Sequence, residues 1–191
     1  MSTFDNNIRI VVTDGKQDSI LALWVIKEKF IDAIHIIDPK TLYPNFKNKN
    51  LIIINVDLHE IIDELLENGN HVTIINHSHG HSHGHGIGHD NLICMLDTNK
   101  SSALQAFEYF NREASEYNVP LIISVNDDAV LHRDNVGIKS KELMAAILYK
   151  NIIDHRDLTK ISAFVDDCDE WGRACILSYV SIGEQILNPV L

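Results

Sequence analysis

The stretch VTIINHSHGHSHGHGIGHDN, Val72–Asn91, decides how this chain is read. It opens as an apolar, β-branched run and turns into a histidine ladder: His77, His79, His81, His83, His85 and His89, spaced by Ser, Gly and Ile. The opening run predicts a buried strand, His71–Asn76, and a buried strand needs sheet neighbours. The neighbours are legible on both sides. Ile8–Thr13 (IRIVVT), Ala33–Ile37 (AIHII) and Leu51–Asn55 (LIIIN) precede it, and Leu92–Asp97 (LICMLD) follows it. LIIIN is apolar throughout, as a strand covered on both faces should be.

Helical spacing fills the gaps between these strands. Ser19–Phe30 (SILALWVIKEKF) carries apolar residues at helical spacing, with Ser19 as the expected N-cap. DLHEIIDELLENG starts with Asp57 and Glu60 as an expected capping box and stops at Gly69. KSSALQAFEYFNREASEY sets Ala103, Ala106, Phe107 and Phe110 on one side. From Val119 onward the patterns are helical only, around 119–131, 139–153, 157–166 and 170–187. Strands alternating with helices predict an α/β fold: a five-stranded, mainly parallel sheet with helices on both faces over 1–118, followed by a helical C-terminal segment over 119–191. We read the whole as a single domain, with the His-rich loop, 77–91, as its only repeat.

Composition narrows the function classes. The chain has 191 residues and a formal net charge of −11, which disfavours binding to nucleic-acid phosphates. Its three cysteines, Cys94, Cys168 and Cys175, have no metal or redox spacing, and an odd, sparse set suits a reducing compartment. There is no signal-peptide pattern and no bilayer-length apolar run, so a soluble cytoplasmic protein is expected. Cys94 is expected to be buried and inert, and Trp24 and Trp171 to be core residues.

Ligands of a parallel sheet gather at the carboxyl ends of its strands. Here those ends are Thr13–Asp18, Asn55–Asp57 and Asn76–His79, all polar, and the ladder starts at one of them. The order of motifs resembles the DHH phosphoesterase superfamily. VTIINHSHG is similar to that family's strand ending in Asp-His-His, and TDGKQDSILALWVIKEKF aligns without gaps to its first motif. LDTNKSSALQAFEYF, VPLIISVNDDAVLH and SIGEQIL resemble its later segments in the same order. The resemblance implies a two-metal, usually manganese-dependent phosphoesterase acting on phosphodiesters, short oligonucleotides, cyclic dinucleotide products or pyrophosphate.

The departures from that pattern fall on the implied ligands. Thr13 stands where the family has a His, Lys16 stands near another ligand, and Asp18 is retained. Asn55 replaces an Asp, with Asp57 two residues further on, and Asn76-His77-Ser78 stands for Asp-His-His. Asp127 or Asp128 matches the fourth motif's Asp. The family's second, substrate-binding domain with its Gly-rich His motif is absent from the sequence. Each Asp-to-Asn change removes a full negative charge from a site that must offset two cations about 4 Å apart.

The expectation is therefore a degenerate DHH-like protein without phosphoesterase activity, acting as a binding or structural protein. The alternatives are a metal-dependent phosphoesterase, with manganese in a reshuffled site of Asp18, Asp57, His77, His79 and Asp128, and a transition-metal binder. In the last, His77, His79, His81, His83, His85 and His89 would hold zinc, nickel or copper. Lys16 is expected to replace a metal ion by reaching into the cleft to neutralise Asp18. A homodimer is expected, with an unidentified protein as a further partner.

Overall fold

The computed structural model describes residues 9–30, 34–36, 46–58, 61–77, 88–111, 119–133, 135, 137–149, 160, 163 and 173–188. The strands are β1 (Arg9–Thr13), β2 (Ile34–Ile36), β3 (Asn50–Ile54), β4 (His71–Asn76) and β5 (Leu92–Leu96). They lie in the order β2-β1-β3-β4-β5, and every neighbouring pair is parallel. The described helices named here are α1 (Gln17–Lys29), α2 (Ile62–Glu67), α3 (Ser102–Phe110), α4 (Leu121–Val130), α5 (Ser140–Tyr149) and α6 (Arg173–Leu187). The α/β class with a parallel sheet is as expected.

Strand alternation divides the core in two. Val11, Ile52, Ile54 and Ile75 face α1, α3, α4, α5 and α6, and form the larger core with Ile20–Ile26, Ala103, Ala106, Ile122 and Ile176. Ile10, Val12, Leu51, Ile53, Val72 and Ile74 face the other way, onto Ile62, Leu65 and Leu66 of α2. Both faces of the sheet are thus covered, and that explains why β3 is apolar at every position from Leu51 to Ile54. Trp24 is buried in the larger core, as expected, while its Nε1 has no hydrogen-bond partner among the described residues.

Two local expectations are corrected, those for Ser19 and Cys94. Helix α1 begins at Gln17, with Lys16 at the cap position and no side-chain cap bond, so Ser19 lies inside the first turn. The start is set by Asp14, whose Oδ1 accepts the Lys16 N–H at 3.0 Å and the Ser19 hydroxyl at 2.5 Å. Gly15 sits at φ +73°, in the left-handed region this turn demands. Helix α2 begins at Ile62, and the Ile61 and Ile62 N–H groups both reach Leu58 O, so a turn follows directly on Asp57, where the capping box was expected. Glu60 lies outside the described residues. Gly69 does end α2, at φ +76°: its N–H reaches Leu66 O and the Asn70 N–H reaches Leu65 O. Cys94 is exposed, because β5 is the last strand of the sheet and among the described residues has a neighbour on one side only. Cys168 and Trp171 lie outside the described residues. Among those described, no helix is long and apolar enough to cross a membrane.

Candidate functional site

The chain goes from β1 to α1 and then to one side of the sheet, and from β3 to α2 and then to the other. The carboxyl ends of adjacent β1 and β3 therefore flank a topological switch point, where a crevice opens in such sheets. Asp14, Asp18 and Ser19 follow β1 there, Asn55 follows β3, and His77 follows β4 one strand away.

Asp18 is the centre of the site and is 4 % exposed. Its Oδ1 accepts the Ala103 N–H at 3.0 Å and the Asn126 Nδ2 at 2.8 Å. Its Oδ2 accepts the Ser102 N–H at 2.9 Å and the Asn55 Nδ2 at 3.2 Å, with His77 Nδ1 also at 3.2 Å. The two backbone donors are the first N–H groups of α3, which has Ser101 as its N-cap, with Oγ accepting from Leu104 N. Asp18 thus lies in the first turn of its own helix and on the open N-terminus of another, where the peptide dipoles favour an anion twice over. Asp127 of α4 supports the same helix start by accepting the Ser101 N–H at 2.5 Å.

Asn55 takes up left-handed backbone, φ 53°, which an Asn tolerates. Its amide is used to capacity. Nδ2 donates to Asp18 Oδ2 and to Ser19 Oγ at 2.9 Å, while Oδ1 accepts from Ser102 Oγ at 2.7 Å and lies 3.2 Å from His77 Nδ1. Asn126 is fully buried and aims Nδ2 at Asp18, leaving its own Oδ1 without a partner. The opposite amide orientation would set a carbonyl against a carboxylate, which is worse.

Asp18 and His77 form an ion pair whenever the imidazole is protonated. Burial pushes the Asp18 carboxyl up, but the hydrogen bonds from His77, Ala103, Ser102 and Asn126 outweigh it and hold the group below its ordinary 3.8. The bond to Asp18 raises His77 above 6.5; partial burial and Lys16 oppose this, and the charges of Asp18 and Asp14 add to it. When protonated, the imidazole supplies the positive charge, donating Nδ1–H inward.

That role was expected of Lys16, and the expectation is corrected. The Lys16 side chain is 83 % exposed and its ammonium pairs with Asp14 Oδ2 at 3.2 Å, not with Asp18. Because Lys16 precedes α1, its side chain leaves the helix start toward solvent. The other expected cleft residues divide. Asp18, Asn55 and His77 come together. Thr13 is fully buried beneath them and accepts the Gly15 N–H at 3.2 Å. Asn76 is buried at the end of β4, where its carbonyl accepts from Gln105 Nε2. Asp57 is exposed in the segment before α2. Asp128 is buried on α4 and accepts from Asn135 Nδ2 at 3.0 Å, away from the Asp18 contacts. Ser78, His79, His81, His83 and His85 lie outside the described residues. His89 is exposed, with Nδ1 accepting the Asn91 N–H.

Sequence reasoning missed Asp14, Ser19, Ser102 and Asn126 as members of the site. Two signals were present: the Ser-Ser pair opening α3, and a run of three polar residues, Asn126-Asp127-Asp128, inside an apolar helix. In comparisons with known protein families, curated proteins and solved structures, nothing matches this chain.

Proposed function

We propose that this chain is a DHH-like scaffold whose cleft has exchanged metal ligation for a closed hydrogen-bond network, and that it acts as a binding or structural protein rather than a phosphoesterase. The observation that carries this reading is Asn55. At a position resembling a ligand Asp of that family, the amide makes two donor contacts that a carboxylate cannot make, to Asp18 and Ser19.

The donor set does not suit a pair of manganese ions. Hard divalent cations need several anionic oxygens with free lone pairs. Both oxygens of Asp18 are already taken by five groups, His77 Nδ1 among them, and Asn55 and Asn76 are neutral. Among the described residues no three His, Cys, Asp or Glu side chains converge on one point.

The test is hydrolysis of bis-p-nitrophenyl phosphate and of a dinucleotide with added manganese, alongside thermal unfolding in the same buffers. A ligand that binds the folded state raises its melting temperature. The expected result is background hydrolysis and an unchanged melting temperature. Turnover above background that disappears in Asp18→Asn would overturn the proposal and restore the enzyme reading.

A further inference from the structure

Past the carboxyl end of β5 the chain turns through Asp97 and Lys100 into α3, and a cavity of about 480 Å³ opens there. That volume falls within the roughly 300–1,000 Å³ of small-molecule sites. Met95, Leu96, Tyr109 and Val119 supply its apolar lining, and Asp97, Lys100 and Glu108 its charges.

The polar groups of this lining are not equally engaged. The Gln105 amide is occupied at both ends: Oε1 accepts the Asp97 N–H at 3.2 Å, and Nε2 donates to the carbonyls of Asn76, Asp97 and Lys100. Lys100 Nζ lies 2.6 Å from Glu108 Oε2, so these two charges answer each other. Asp97 is left over. Its Oδ1 accepts the Asn99 N–H at 2.9 Å, while its Oδ2 is 4.0 Å from the Lys100 ammonium, beyond hydrogen-bond reach. Arg133, the other cation at this turn, is engaged elsewhere, donating to Asn99 O at 3.1 Å and lying 3.9 Å from Asp127.

We infer that this cavity binds a small organic amine with an aromatic body, its ammonium on Asp97 Oδ2 and its ring against Met95 and Tyr109. The sign follows from the charges present. Two carboxylates and one ammonium leave one net negative charge, which a monocation neutralises. An anionic ligand would have to draw Lys100 from Glu108 and would still face Asp97. The chain's net charge of −11 attracts a cation at longer range as well. The body follows from the lining: a thioether makes favourable contacts with aromatic rings, and so does a second ring such as that of Tyr109. None of the contacts to Asp18 is involved, so amine binding here does not depend on the loss of metal ligation proposed for the cleft.

Three probes with one ring and different charges test this on the full chain: tryptamine, a cation; indole ethanol, neutral; and indole acetate, an anion. In amide NMR titrations tryptamine should bind saturably, with a dissociation constant of about a millimolar or below, as suits so small a ligand. The shifts should centre on Met95, Asp97, Glu108, Tyr109 and Val119. Indole ethanol should bind about fivefold more weakly, the factor given by one partly exposed ion pair, and indole acetate more weakly still. Asp97→Asn keeps the acceptor for the Asn99 N–H, so its melting temperature should stay as in the parent. It should weaken tryptamine about fivefold and leave indole ethanol unchanged, so that the two probes bind alike. Tyr109→Leu should weaken both probes by the same factor. The inference is overturned if tryptamine shows no saturable binding, if its shifts centre on other residues, or if indole ethanol binds the parent as tightly. Tryptamine affinity unmoved by Asp97→Asn overturns it too.

Discussion

Replacing Asp18 by Asn changes one oxygen to an NH2 and tests the whole account of the site. The carboxylate accepts two donors on Oδ1, Ala103 N and Asn126 Nδ2, and three on Oδ2, Ser102 N, Asn55 Nδ2 and His77 Nδ1. The amide keeps one acceptor oxygen. In its better orientation the NH2 replaces Oδ1, and two fully buried donors then face a third. Each buried donor left unsatisfied costs about 1–3 kcal/mol. The expected loss is therefore about 2–6 kcal/mol, a large share of the roughly 5–15 kcal/mol that holds a domain folded. No stability is assigned to the partly exposed His77, whose contribution solvent screens. At this chain length a loss near the middle of that range lowers the melting temperature by roughly 10 °C. Urea unfolding of parent and variant gives the stability change, and NMR titration of His77, assigned with His77→Gln, gives its pKa. In Asp18→Asn the His77 pKa should fall back toward 6.5. A loss under about 1 kcal/mol, below the cost of even one buried unsatisfied donor, or an unmoved His77 would refute the account.

The remaining predictions concern the same network and the C-terminal helices. His77 is raised above its ordinary value when folded, so its stabilisation is complete below pH 6.5 and fades as pH rises through the folded value. Asp18 is depressed, so its contribution is complete above 3.8 and fades as pH falls through its lower folded value. Urea unfolding from pH 5 to 9 should therefore show an alkaline decline that His77→Gln removes; an equal decline in the variant excludes the ion pair as its source. Asn55→Asp sets a second carboxylate 3.2 Å from the first and removes two donor bonds, so it should destabilise by about 3 kcal/mol and raise the Asp18 pKa, read by carboxyl NMR. A neutral outcome would mean that the Asn55 amide is not required. Gly183→Ala places a Cβ against the Glu142 backbone carbonyl where α6 crosses α5, and should lower stability by about 1–3 kcal/mol in thermal unfolding; an unchanged melting temperature would show that the two helices separate freely.

Much of the fold was legible because burial imposes period and composition together. LIIIN could only be a strand covered on both faces, and the β-branched runs at Ile8–Thr13 and His71–Asn76 match β1 and β4 to within a residue. The helix starts were less legible because side chains distant in sequence set them. Ser19 has the residue type of a cap, but Asp14 takes its hydroxyl and moves the start two residues earlier. Cys94 looked like a core residue because LICML has the composition of a central strand, and composition does not say which strand is last in the sheet. In the site, residue types marked Asp18, Asn55 and His77. Ser102 and Asn126 enter through contacts 84 and 108 residues from Asp18, and no local pattern carries that information.

The same separations explain how the cleft can hold together on the proposed reading. Two metal ions would join the strand ends by drawing several carboxylates onto shared charge. With Asn at 55 and 76 that means of cohesion is lost, and a lone buried Asp18 would by itself be unfavourable. The observed arrangement reverses the polarity of the problem: Asp18 is kept, and the five groups that touch its carboxylate are donors. Those donors come from the end of β3, the end of β4, the start of α3 and the middle of α4, so a single carboxylate ties four elements to α1. A network of this kind needs no ion to close and fixes Asn55 and Asn126 as amides. It follows that restoring only one carboxylate damages the site instead of repairing it. Asn55→Asp removes two donors and adds repulsion, and on the proposed reading recovery of a cation site requires Thr13→His, Lys16→Asp, Asn55→Asp, Asn76→Asp and Ser78→His together. Isothermal titration with manganese decides this: uptake by the folded five-fold variant, absent from Asn55→Asp, is the expected result, and uptake by Asn55→Asp alone refutes the argument.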